Sequence, residues 1–75
     1  MRLAKVVKLK CISQGCPEQW EGELSDGRSV YVRERHGEVR IEIDGEVTHR
    51  EAGHDALAVL ESYLDCSELE RTHGL

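Results

Sequence analysis

Cys11-x4-Cys16 followed by His49-x4-His54 has the ligand types of a small zinc site. Thiolates and imidazoles bind that ion well, and two pairs would fill a tetrahedron. The spacing is poor for it, however. On a helix, positions five apart are separated by about 140°, so His49 and His54 would diverge, with His54 facing water. Cys16 beside Pro17 is also a weak nucleophile candidate, because no histidine has a sequence-defined reason to approach it. Carboxylates are plentiful, yet nothing in the pattern encloses a pair of them in a cleft. The residues therefore predict no catalytic group and no cofactor. Zinc held by Cys11, Cys16, His49 and His54 stands as an alternative.

A different constellation carries more. Tyr31, Arg33, Arg35 and Arg40 fall on alternate positions of two consecutive strand-like segments, so they share one face of a sheet. Tyr and Arg are the side chains favoured at the energetic centres of protein interfaces. The expected cross-strand neighbours are Tyr31 with Glu42, Arg33 with Arg40, and Arg35 with Glu38. Arg33 beside Arg40 is an unfavourable like-charge pair that an anion or an acidic group would relieve. Two alternatives use other chemistry: stacking of single-stranded nucleic acid on Tyr31 between the arginines, and an acidic helix face of Glu51, Asp55, Glu61 and Asp65 docking on a basic partner.

These positions follow from the turns. Ser25-Asp26-Gly27 as a three-residue loop, with Gly27 left-handed, pairs Trp20 with Val32 and Gly22 with Val30. A two-residue His36-Gly37 turn then pairs Val32 with Ile41 and Val30 with Ile43. A shift by one residue would bury arginines instead. The first segment, Leu3 to Ile12, alternates with Leu3, Val7, Leu9 and Cys11 on one side. Thr48-His49-Arg50-Glu51 has the form of a capping box, and Val59, Ala52, Tyr63, Ala56, Leu60, Gly53, Leu64 and Leu57 then fill one helical arc. The prediction is an α+β domain, a four-stranded antiparallel β-meander (ββββα) with one C-terminal amphipathic helix on one face. It spans residues 1–66, with 67–75 a frayed helix extension or tail. Leu57, Leu60 and Leu64 should pack on Val30, Val32, Ile41 and Ile43.

Composition agrees with a small binding domain. The chain has 75 residues, 39% of them hydrophobic, and a formal charge of -5. Residues 1–44 hold eight basic and eight acidic side chains, whereas 45–75 hold two against seven. Such an acidic chain is ill suited to coat DNA, where Lys and Arg supply the phosphate contacts. No apolar run of about 18 residues suggests a membrane span. The lysine-bearing start does not read as a secretory leader. Three cysteines, an odd number, then predict free thiols in a reducing cytoplasm, although Cys11 and Cys16 could bridge in an oxidising one.

The segments Cys16-Pro17-Glu18-Gln19-Trp20-Glu21-Gly22, Asp26-Gly27-Arg28 and Tyr31-Val32-Arg33-Glu34-Arg35-His36-Gly37 resemble a pattern in small uncharacterised proteins of actinobacteria and their phages. That resemblance implies a bacterial or phage origin and carries no activity. Taken together, the residues predict a non-catalytic interaction protein, a regulator or inhibitor that binds a larger protein.

Overall fold

Two tight turns and one three-residue loop set the architecture. The computed structural model describes residues 5–15, 17–67 and 69–72. Strand β1 spans Val6–Ser13, β2 Glu18–Leu24, β3 Ser29–Arg35, β4 Glu38–Ile43 and β5 Glu46–Ala52; helix α1 spans Ala56–Tyr63 and β6 Glu70–Thr72. His36 and Gly37 have φ of 53° and 79°, and Asp44 and Gly45 have 51° and 84°. Positive φ at both central residues matches the right-handed twist of a hairpin, which is why Gly occupies the second place in each. In the loop between β2 and β3, Gly27 has φ of 92° and Leu24 N–H donates to Arg28 O at 2.8 Å. The expected registers therefore hold: Trp20 faces Val32, Gly22 faces Val30, and Val32 and Val30 face Ile41 and Ile43.

The α+β class is as expected, but the strand count is not. Among the described residues the sheet has six strands in the order β5-β4-β3-β2-β1-β6. The first five are antiparallel neighbours, and β6 lies parallel to β1. Residues 70–72, expected within a tail, thus extend the sheet; 68 and 73–75 lie outside the described residues. Thr48 and Glu51 do not cap a helix. They belong to β5, where Thr48 Oγ1 donates to Ile41 O at 3.4 Å. The true N-cap is Asp55, whose Oδ1 accepts from Ala58 N–H at 3.1 Å.

The core lies on one face only. Val6, Leu9, Trp20, Leu24, Val30, Val32, Val39, Ile41 and Ile43 of the sheet are buried with Ala56, Val59, Leu60 and Leu64. Leu57 and Tyr63 pack against this cluster half-buried. In β1 the buried residue is Val6 and not Val7, because a bulge between Val6 and Lys8 changes the alternation before Leu9; Leu3 lies outside the described residues. Helix α1, only eight residues long, crosses β3 and β4 and holds its shape through this packing. From its end, Val6 N–H donates to Asp65 O at 2.8 Å, which leads the chain alongside β1. Trp20, buried as expected, donates from Nε1 to Glu18 Oε2 at 2.7 Å, so its polar edge is satisfied at the sheet margin. No helix among the described residues is long and apolar enough to cross a membrane.

Candidate functional site

Alternation along each strand sends the polar residues to the face opposite α1. The ladder pairs Tyr31 with Glu42, Arg33 with Arg40 and Arg35 with Glu38, as the turns predict. On the other side of β3, Glu21 sits beside Tyr31 and Gln19 beside Arg33. Strand β1 adds Lys8 against Glu23 and Lys10 against Glu21. Strand β5 adds a residue that sequence reasoning missed, because Arg50 pairs with Arg40. Among the described side chains the face thus carries six basic ones (Lys8, Lys10, Arg33, Arg35, Arg40, Arg50) against four acidic ones (Glu21, Glu23, Glu38, Glu42), in a chain whose net charge is -5. The missed signal was Asp44-Gly45 between Ile43 and Val47, a hairpin turn that makes 46–52 a strand and places Arg50 on this face.

Two shallow hollows mark the surface. One, of about 530 Å³, lies among Lys8, Lys10, Glu21, Glu23, Ser29 and Tyr31. The second, of about 490 Å³, is lined by Arg33, Arg35, His36, Glu38 and Arg40. Tyr31, Arg33 and Arg40 are half-buried, while Arg35 and Arg50 are exposed. The Nε atoms of Arg33 and Arg40 are shielded from solvent and have no acceptor in hydrogen-bond geometry. Arg40 Nε lies 3.4 Å from Glu42 Oε2, an off-line ion pair. Among the described residues Arg33, Arg35 and Arg50 form no ion pair. Directly opposed cross-strand side chains have Cβ atoms about 5 Å apart, so Arg33, Arg40 and Arg50 stand in one row across three strands.

The other expected groupings are not assembled. Glu51, Asp55, Glu61 and Asp65 do not share a helix face. Glu51 is in β5, Asp55 caps the helix, Glu61 alone is helical, and Asp65 bridges to Lys5. The zinc ligand set is dispersed as well. Cys11 in β1 faces Trp20, and His49 is in β5, four strand spacings or about 19 Å away across the sheet. His49 instead stacks on Tyr63 with ring centroids 4.5 Å apart and places Nε2 3.2 Å from Glu51 Oε1. The His54 side chain is 88% exposed, with Nδ1 3.8 Å from Glu34 Oε2. Cys16 lies outside the described residues. Among the described residues no three His, Cys, Asp or Glu side chains gather closely enough to hold a metal.

One carboxylate is clearly perturbed. Asp26 is held below the usual carboxylate range, chiefly by the backbone N–H of Arg28, which donates to Oδ1 at 3.0 Å. The Arg28 guanidinium adds a contact from Nε to Oδ2 at 2.8 Å. This pair fixes the β2–β3 loop and stands apart from the outer face. No protein-family model, curated protein or solved structure matches the chain.

Proposed function

We propose that the chain is a non-catalytic interaction module, a small regulator or inhibitor that seats its outer sheet face on a larger protein. The observation that carries this is the one-sided layering. Among the described residues the buried apolar side chains form one cluster on the α1 side of the sheet, and Tyr31 stands among Arg33, Arg35, Arg40 and Arg50 on the opposite face. Its size suits the task. The molecule measures 30 × 29 × 21 Å, so its broad side offers on the order of 800–900 Å², close to one partner's share of a standard interface. A bacterial or phage origin fits a small chain that acts by covering another protein's surface. A reducing cytoplasm fits Cys11, which is in the thiol form.

The test is a double substitution, Tyr31→Ala with Arg33→Ala. A partner captured from the native host by the wild-type chain, then purified and titrated, should lose binding to this variant while the circular dichroism and melting curve stay unchanged. Equal affinity of the folded variant for the same partner would refute docking through this face. The arginine row also favours a second reading, contact with single-stranded nucleic acid, in which Tyr31 would stack a base. That reading requires retardation of an oligonucleotide that weakens steeply as salt rises.

A further inference from the structure

The row Arg33, Arg40 and Arg50 has a shape as well as a charge, and the shape restricts what it can bind. Adjacent strands are about 4.8 Å apart, so three successive arginines span about 10 Å across the sheet. Two residues along the strands, about 7 Å away, β4 turns acidic on both sides, at Glu42 and Glu38. Glu21 adds to the Glu42 side and is paired with Lys10, while Glu38 is paired with Arg35, which continues the positive surface along β3. Beyond Arg33 the row ends in neutral Gln19. The positive field is a band interrupted by glutamates on β4 and open towards Arg35 on β3. A phosphate backbone longer than this band would meet those carboxylates, and the net charge of -5 opposes its approach.

We infer that this band selects the partner by receiving a pair of carboxylates from an acidic segment of the larger protein, an inference that rests on the docking function proposed above. Carboxylates two residues apart on a strand, or four apart on a helix, are separated by about 6–7 Å, which fits within the band. Each guanidinium offers a planar fork that matches a carboxylate. Arg33 and Arg50 form no ion pair among the described residues and the Arg40–Glu42 contact is off-line; because Nε of Arg33 and of Arg40 is shielded from solvent, the carboxylates would meet these two side chains at their terminal Nη groups. Tyr31, beside the band, would pack against the same segment.

The experiment titrates the full-length, nitrogen-labelled chain at low salt with a capped oligoglutamate peptide, and separately with an oligothymidylate of equal charge. The Nε–H signals of Arg33, Arg40 and Arg50 should shift with the peptide. Arg40→Gln and Arg50→Gln should each weaken peptide binding about tenfold, the size expected for one charge-assisted hydrogen bond. Arg28→Gln, at the remote loop, should leave it unchanged. Unmoved arginine signals, tighter binding of the oligothymidylate, or an equal loss with Arg28→Gln would overturn the inference. Failure here, with the partner still lost from the Tyr31/Arg33 double variant, would remove the acidic segment and leave docking intact. Retention of the partner by that variant would remove docking itself.

Discussion

Gly22→Ala gives an unusually clear test of the fold, because ordinary expectation and the structure disagree in sign. Glycine in a strand interior is less stable than alanine by roughly 0.5–1 kcal/mol, so the substitution would normally stabilise. Here a Cβ on Gly22 would lie 2.8 Å from the Lys8 carbonyl carbon and 3.0 Å from Leu9 Cα, with the Lys8 oxygen closer still. All three are backbone atoms, so no side chain can swing aside. Strand β1 would have to retreat from β2 beside the paired residues Leu9 and Gly22. Two ladder hydrogen bonds are worth about 1 kcal/mol each. Even partial exposure of Val6 and Leu9, each now no more than 1% exposed, adds about 1–2 kcal/mol. The expected loss is about 3 kcal/mol or more, a large part of the roughly 4–11 kcal/mol available to a domain of this length. Urea unfolding followed by the fluorescence of Trp20 measures it directly. An unchanged or higher midpoint would refute the close approach of β1 to β2 and, with it, the placement of Lys8 and Lys10 on the outer face.

Other substitutions probe the remaining supports. Leu60→Ala, at a fully buried position in α1, should cost about 2–5 kcal/mol in urea unfolding; a loss below that range would mean that α1 does not close the core. Asp44→Ala should cost about 1–2 kcal/mol, since Asp44 Oδ1 accepts from Ser29 N–H at 2.9 Å and alanine is strained at positive φ. The counter-result is wild-type stability. His49→Ala should lose about 0.5–1.5 kcal/mol of stacking on Tyr63, with no change in bound metal by elemental analysis; metal lost with the imidazole would contradict the packing role. The folded-state pKa of Asp26 is depressed, so its stabilising effect is present at neutral pH and is lost as pH falls through and below the ordinary carboxylate value of 3.8. Because the Arg28 backbone N–H is the largest single cause, Arg28→Ala should leave part of the depression in a carboxyl NMR titration. A return to the ordinary value would assign it to the guanidinium.

The central hairpins were legible because turn length and side-chain alternation agree. Only one register puts Trp20, Val30, Val32, Ile41 and Ile43 together, and that register also turns Tyr31, Arg33, Arg35 and Arg40 outward. At the edge the signals conflicted. Thr48 and Glu51 have capping-box spacing, whereas Asp44-Gly45 marks a hairpin, and the hairpin prevails because β5 gains a full ladder with β4. β5 is an edge strand whose only partly buried member is His49, so no apolar alternation announced it. The same polarity hid Arg50. Bulges hide from periodicity too, which is why Val6 and not Val7 was buried. The short β6, Glu-Arg-Thr in sequence, has no apolar pattern, and its place depends on the parallel pairing with β1.

Footprinting of the chain alone and bound to its partner, by hydrogen exchange with side-chain modification, tests the docking account most directly. The account predicts protection centred on β3 and β4, with Tyr31, Arg33 and Arg40 shielded and Arg50 shielded at the margin. Protection confined to the solvent side of α1, at Ala58, Glu61 and Ser62, with the Tyr31 ring still reactive, would contradict it.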